Sequence, residues 1–253
     1  MSIGYACLNI GTPDTNIRSL MQKNATPEKL TEVTAHNLAA LEKMIDYNRK
    51  NNIKLFRISS DLIPFGSSPV NTLPWWDIHA EAFQHIGAKI RKSGMRVSFH
   101  PGQYTVLNSP DENVVARAIL DLAYHAKMLE CLGVGNQHKI VLHVGGIYGD
   151  KKEALQRFKQ NFRRLPEAVR NRLIIENDDR LYNIEEVLEL AHRLQIPAVY
   201  DNLHHAINPP KSGGTDQYWI AETAKTWKAS DGNQKIHYSQ QAPGKRPGAH
   251  TDT

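Results

Sequence analysis

The sequence predicts an α/β fold built on a parallel sheet with helices on both faces. Short runs rich in Ile, Val, Leu and Phe alternate with amphipathic stretches at helical spacing, and this alternation is typical of βα units. Two architectures fit the pattern, a doubly wound open sheet and a (β/α)8 barrel. The first βα turn, NIGTPDT at 9–15, lacks the Gly-x-Gly-x-x-Gly phosphate fingerprint, which disfavours a dinucleotide-binding sheet.

Helix start and stop signals support these elements in chain order. Thr26 followed by Pro27 fits an N-cap with proline at the first helical position, and Gly94 and Gly133 fit helix ends. No low-complexity linker or break in composition separates two halves, so residues 1–253 are predicted to form a single domain. The predicted strands cover 3–10, 54–60, 96–100, 139–144, 173–177, 197–203 and 235–239, and the predicted helices cover 27–50, 76–93, 112–132, 151–170, 183–195 and 216–228.

Composition excludes several classes of protein. No run of 18 apolar residues is present, and the N-terminus lacks the basic region and cleavage site of a signal peptide. The two cysteines, Cys7 and Cys131, cannot form a disulfide framework and suit a reducing interior, so a cytoplasmic location is expected. A net charge of +5 and a pI near 9.1 weakly favour a polyanionic partner.

The most specific signal is a set of polar residues at the ends of the apolar runs. Carboxyl ends of parallel strands share one rim of a barrel, where active sites are built. An unpaired carboxylate such as Glu176, after three large apolar residues, would cost several kcal/mol to bury. Imidazoles and carboxylates together predict a cation, with Zn²⁺, Mn²⁺ or Fe²⁺ favoured over Ca²⁺. The residues that follow this pattern are His100, His143, Glu176, Asp201, His204 and His237.

At these residues the sequence resembles the UV damage endonuclease family, which is related to endonuclease IV and xylose-isomerase-like TIM barrels. The resemblance covers nearly the whole chain and favours the TIM (β/α)8-type barrel over the open sheet. The motifs SFHPGQY, IENDD and YDNLHH are specific to the family, whereas GYACLN alone would not identify it. The motifs are GYACLN (4–9), FRISSDLIP (56–64), SFHPGQY (98–104), LHVGG (142–146), IENDD (175–179), YDNLHH (200–205), HYSQQ (237–241) and AHTD (249–252).

The resemblance implies a cluster of two or three divalent ions, most often Mn²⁺, with Zn²⁺ or Mg²⁺ as alternatives. It places His100, His143 and Glu176 on one ion. Glu176 bridges to a second ion that Asp201 and His237 also hold, and catalysis is assigned to Glu176 and His237. A third ion is assigned to His204 and His250, although His250 has no predicted strand to place it. Lys235, two residues before His237, is a further catalytic candidate that some members carry as a carbamate; an ordinary strand-edge lysine is the alternative.

The implied reaction is hydrolysis of the phosphodiester immediately 5′ to a UV photoproduct, leaving a 3′-hydroxyl and a 5′-phosphate. The implied partner is UV-damaged double-stranded DNA, which would associate the protein with the nucleoid. No membrane or protein partner is implied, and a monomer is expected. Dimerised pyrimidines stack and pair poorly, so extruding them costs less than extruding a normal pair. The family's lesion-probing residues match Tyr5, Gln103 and Tyr104, for which the alternative is a structural role at the rim.

Four basic residues could hold DNA phosphates or could equally be solvated surface charges. They are Arg57, Lys211, Lys245 and Arg246.

One part of the family pattern is missing from this chain. The family's eighth strand carries a glutamate ligand, whereas this chain ends Thr251-Asp252-Thr253 after seven predicted strands. We therefore expect the last βα unit to be absent through a C-terminal truncation. Two other functions are alternatives to the endonuclease. One is a sugar isomerase or epimerase on the same barrel, and the other is a lesion-binding module made inactive by the missing ligand.

Overall fold

A computed structural model describes residues 2–249, which form seven β-strands and nine α-helices. The chain divides into two compact units. The first unit contains the residues up to Gly102 and Ile119–Ile140, and the second contains Gln103–Ala118 and the residues from Val141 onward. The prediction of one domain over 1–253 stays a prediction.

The first unit is a parallel βα arrangement with neighbouring strands in chain order. The register pairs Tyr5 with Phe56, and Phe56 with Val97, and helices supply core side chains such as Leu41 and Phe83, both fully buried. The strands are β1 (Gly4–Ala6), β2 (Leu55–Arg57), β3 (Arg96–Phe99) and the start of β4 (Lys139–His143), and the helices are α1 (Pro27–Lys50), α2 (Trp75–Ile78), α3 (Ala80–Ser93) and most of α4 (Glu112–Cys131).

The second unit repeats this pattern. Its strand interiors are apolar and completely buried, as Ile174 and Val199 show, because strands covered on both faces have no solvent side. The strands are the end of β4, β5 (Leu173–Glu176), β6 (Ala198–Asp201) and β7 (Ile236–His237), and the helices are α5 (Lys151–Arg164), α6 (Glu167–Arg170), α7 (Ile184–Leu194), α8 (Asn202–Ile207) and α9 (Asp216–Ala224).

The predicted caps are present. The Thr26 side chain accepts a hydrogen bond from the Lys29 amide, and Pro27 is the first residue of α1. Gly94 has a φ of +64° where α3 ends, and Gly133 has a φ of +62° shortly after α4. Glycine adopts this left-handed conformation without steric cost.

Several predicted element bounds were wrong. The strand predicted over 3–10 covers only Gly4–Ala6, and the helix predicted over 216–228 ends at Ala224. The predicted helix 76–93 is interrupted at His79, which separates α2 from α3. The predicted helix 151–170 is interrupted because Leu165 is extended before Pro166 (ψ 143°), as the residue before a proline usually is. The predicted strand 197–203 ends at Asp201, and α8 begins at the next residue.

No helix within residues 2–249 is both long enough and apolar enough to cross a membrane.

Candidate metal centre

All four strands of the second unit end on a side chain that can bind a metal ion. His143 ends β4, Glu176 ends β5, Asp201 ends β6 and His237 ends β7. The carboxyl ends of parallel strands lie at the same edge of a sheet, which brings these side chains together. The apolar strand interiors anchor the backbone from which each of them projects.

Glu176 lies at the centre of this group and is only 1% exposed. Its Oε1 accepts a hydrogen bond from His237 Nδ1, and its Oε2 lies 3.7 Å from His143 Nε2. The two oxygens of one carboxylate therefore face different imidazoles. This divergent arrangement is the one a carboxylate needs to contact two cations, one through each oxygen.

Asp201 and His204 form the second part of the group. Asp201 is the N-cap of α8, and its Oδ1 accepts a hydrogen bond of 2.9 Å from the His204 backbone amide. One potential ligand atom from each of Glu176, Asp201 and His204 lies within 4.8 Å of the other two. The His204 ring centroid is 5.4 Å from that of His143, so the two halves of the group adjoin.

A main-chain carbonyl fixes the orientation of the His204 ring. His204 Nδ1 lies 2.8 Å from the Asn177 carbonyl oxygen, and because a carbonyl only accepts, Nδ1 carries the proton. Nε2 is then the nitrogen with the lone pair available to a metal. Metal-binding histidines commonly donate their other N–H in this way, which sets the tautomer and the ring orientation.

The electrostatics of the group favour a bound cation. Burial, together with the nearby charge of Glu176, raises the pKa of Asp201 to about 6. Two carboxylates held this close in a buried site repel each other, and a cation between them would relieve the repulsion. Carboxylate oxygens with imidazole nitrogens match Zn²⁺, Mn²⁺ and Fe²⁺ better than the all-oxygen preference of Ca²⁺. The residues present therefore fit a divalent metal.

The second unit thus brings together five of the seven predicted ligands. His100 follows β3 in the first unit, where its Nδ1 donates to the Pro101 carbonyl and its own carbonyl accepts from Ser60 Oγ. His250 lies outside the described residues, so its role stays a prediction. Lys235 is half-buried directly before β7.

The predicted lesion-probing residues differ in exposure. Gln103 is exposed and Tyr104 is 68% exposed, on the turn that follows β3. Tyr5 is half-buried on β1, with its ring 5.0 Å from that of Phe56. Burial raises the pKa of the Tyr5 hydroxyl, which keeps it neutral and able to hydrogen-bond.

The predicted phosphate-binding residues differ in secondary structure and in exposure. Arg57 ends β2 and is half-buried, whereas Lys211, Lys245 and Arg246 are exposed in loops. Exposed loop cations gain little from fixed protein contacts and remain available to an anionic ligand.

Sequence reasoning missed Asn177 and Asn202, which directly follow Glu176 and Asp201. Both side chains hydrogen-bond to the backbone of a neighbouring strand end. The signal that could have found them is the repetition of an acid followed by asparagine in IENDD and YDNLHH.

Comparisons with known proteins show the family to which the chain belongs. The family model of UV-endonuclease UvdE matches residues 2–253. A UV DNA damage endonuclease of Clostridium perfringens is 41% identical over 256 residues, which cover 99% of this chain and 61% of that protein. The crystal structure of SacUVDE matches with a TM-score of 0.95 and 37% identity, over 100% of this chain and 85% of that one.

A D-psicose 3-epimerase from Clostridium cellulolyticum H10 is similar in fold alone, with a TM-score of 0.55 and 15% identity over 81% of this chain and 70% of that one. The chain therefore has an α/β fold of the TIM-barrel type, with acids and imidazoles gathered at the ends of its strands. It belongs to the UV-endonuclease UvdE family. It spans about 61% of the length of the C. perfringens relative.

Proposed function

We propose that this chain is a metal-dependent DNA repair endonuclease that cuts the phosphodiester immediately 5′ to a UV photoproduct, leaving a 3′-hydroxyl and a 5′-phosphate. The observation that carries the proposal is the group formed by His143, Glu176, Asp201, His204 and His237. Membership of the UV-endonuclease UvdE family supplies the reaction class.

The proposed ligand roles are those that the family resemblance implies. His143 and His237 face different oxygens of Glu176, which supports Glu176 as the bridging carboxylate. Asp201 and His237 would hold a second ion, and His204 would help to hold a third. We propose that His100 and His250 complete the set, as the family resemblance implies. Two or three divalent ions held by these residues, with Mn²⁺ preferred, would supply Lewis-acid chemistry that lowers the pKa of a water molecule and offsets negative charge on the phosphate.

The protein's own groups orient the reacting atoms. His237 donates from Nδ1 to Glu176, and His204 donates from Nδ1 to the Asn177 carbonyl, so both rings are held in a defined tautomer. Burial of Glu176 and Asp201 excludes competing water and strengthens their interaction with cations. Lys235, half-buried and two residues before His237 in the sequence, is proposed as a further catalytic group.

We propose that Gln103 and Tyr104 probe the base stack from their exposed turn, with Tyr5 as a third contact. An exposed aromatic side chain can stack against unpaired bases at little conformational cost, and stacking contributes roughly 1–3 kcal/mol per base. Arg57, Lys211, Lys245 and Arg246 would add phosphate contacts that weaken with salt. The expected partner is therefore UV-damaged duplex DNA.

A plasmid-nicking assay tests this function. UV-irradiated and unirradiated supercoiled plasmid is incubated with the protein and Mn²⁺, with and without EDTA. Damage-dependent nicking that EDTA abolishes is the expected result. Glu176→Gln should abolish nicking while binding to damaged DNA survives, and Glu153→Gln, at an exposed acid of α5, should cut as the wild type does.

Indifference to irradiated plasmid would refute the proposal. Binding to damaged plasmid without cutting, seen as a retarded but intact band, would instead favour a lesion-binding module.

A further inference from the structure

Two asparagines repeat the same position relative to the candidate ligands. Asn177 follows Glu176 and Asn202 follows Asp201, each at the point where a strand ends. The acids belong to the proposed metal centre, whereas the asparagines have no role in it so far.

Asn177 joins the ends of β5 and β6 through its side-chain amide. Its Nδ2 donates to the Asp201 carbonyl oxygen at 3.1 Å, and its Oδ1 accepts from the Asp201 amide at 2.9 Å. The last residue pair in the register of β5 and β6 is Glu176 with Val199. The Asn177 side chain bonds to Asp201, which lies two residues after Val199. A side-chain amide offers the same donor and acceptor as a peptide group and can continue the ladder. Asn177 is completely buried, so little water competes for these bonds.

Asn202 repeats the arrangement between β6 and β7. Its Nδ2 donates to the Ser239 carbonyl oxygen at 3.1 Å, and its Oδ1 accepts from the Ser239 amide at 2.8 Å. The last residue pair in the register of β6 and β7 is Asp201 with His237. The Asn202 side chain bonds to Ser239, which lies two residues after His237. The same device therefore fixes two successive strand ends, each carrying a candidate ligand.

Asn177 also contacts the metal centre through its backbone, because its carbonyl oxygen accepts the Nδ1 proton of His204. One buried residue thus holds the main chain of Asp201 on one side and the ring of His204 on the other.

We propose that Asn177 and Asn202 are positioning residues of the metal centre. Asn177 fixes Asp201 and His204, and Asn202 fixes the segment that follows His237. The inference rests on the proposed metal-dependent function. Loss of either amide would leave a backbone N–H and a carbonyl without their partners and would let the adjoining ligands move. Outer contacts of metal ligands typically contribute 10- to 100-fold to metal affinity, so losses of that size are expected.

Asn37 provides a matched control. Its Oδ1 accepts from the Arg18 amide at 2.8 Å, and its Nδ2 donates to the Arg18 carbonyl at 3.0 Å. It is completely buried, as Asn177 is, and it lies on α1, with no candidate ligand among the partners of its side-chain hydrogen bonds. A change at Asn37 therefore removes the same kind of paired bond and should lower stability alone.

The experiment compares Asn177→Ala, Asn202→Ala and Asn37→Ala with the wild type. Mn²⁺ affinity is measured by calorimetric titration, and thermal unfolding is followed with and without Mn²⁺. We expect Asn177→Ala and Asn202→Ala to weaken Mn²⁺ binding about 10- to 100-fold and to lose most of the Mn²⁺-dependent rise in Tm. Asn37→Ala should lower Tm without Mn²⁺ but keep the wild-type affinity.

Wild-type Mn²⁺ affinity in both Asn177→Ala and Asn202→Ala would overturn the inference while leaving the proposed function intact. If Asn177→Ala does not fold, Asn202→Ala decides, because Asn202 is only half-buried and water can replace its bonds. A wild-type protein that binds no Mn²⁺ would instead overturn the proposed metal dependence, and the inference with it.

Discussion

Acidification should weaken Mn²⁺ binding through the carboxyl group of Asp201. Burial and the charge of Glu176 raise the pKa of Asp201 to about 6. A protonated carboxyl group is a poor ligand, so protons and metal compete for it. Because the pKa is raised, half of the Asp201 carboxyl groups are protonated at about pH 6, whereas an ordinary aspartate would remain mostly ionised down to about pH 4.

The size of the effect follows from the pKa. About a tenth of the Asp201 carboxyl groups are protonated at pH 7, and about nine-tenths are protonated at pH 5. The apparent Mn²⁺ affinity should therefore fall about tenfold between pH 7 and pH 5 through this group alone, or ~1.4 kcal/mol. With an ordinary pKa, the same change of pH would weaken binding only by roughly a tenth.

A comparison of variants isolates the contribution of the Asp201 carboxyl group to the pH dependence. Mn²⁺ affinity is titrated from pH 5 to 7 for the wild type, Asp201→Asn and Asp46→Asn. Asp201→Asn keeps a side-chain oxygen for the N-cap and should bind Mn²⁺ more weakly, with a pH slope about one proton shallower below pH 6. Asp46→Asn, at an acid of α1, should match the wild type. Equal pH slopes for the wild type and Asp201→Asn would refute the reasoning.

Two further outcomes are expected, one for damage recognition and one for stability. Tyr104→Ala should leave Tm unchanged, because the side chain is 68% exposed, but should weaken the preference for irradiated over intact duplex in a binding competition; an unchanged preference would remove Tyr104 from lesion probing. Lys89→Met should lower the free energy of unfolding at pH 7 by ~1 kcal/mol, because Lys89 lies 2.6 Å from Glu42 and from Asp46. Although partial burial raises the pKa of Asp46, its bonds to Lys89 and Arg49 outweigh this and hold the pKa below its usual value. The Asp46 contribution to the difference in unfolding free energy between the wild type and Lys89→Met is therefore present above about pH 4. It is lost as the pH falls through the lowered pKa of Asp46. If denaturant titrations at pH 2 gave the same difference in unfolding free energy as at pH 7, the contribution of Asp46 would be contradicted.

The positions of the strands were predictable because their signal is local. Glu176 follows Leu173-Ile174-Ile175, and the structure ends β5 at that glutamate. Buried parallel strands are short apolar runs, and a polar residue that ends one is visible in the sequence alone. The TIM-barrel type of fold followed from the same alternation together with the family resemblance, and the fold comparison confirms it.

The hydrogen bonds around these strand ends were harder to predict from the sequence, because each joins residues that are far apart in the chain. Asn177 bonds to a residue 24 positions away, and Asn202 to one 37 positions away. In the sequence each looks like an ordinary turn residue after a strand. The start of α8 at Asn202 was also missed, because Tyr200 and Leu203 extend the apolar run past the point where the N-cap of Asp201 ends the strand.

The N-cap at Asp201 links two ligands through one turn of backbone. The aspartate oxygen that accepts the His204 amide also starts the helix that carries His204. An insertion or deletion between residues 201 and 204 would rotate the imidazole by about 100° on the helix, given 3.6 residues per turn. The spacing Asp-x-x-His is therefore a unit, because a change in the number of residues between Asp201 and His204 would turn the imidazole away from the aspartate.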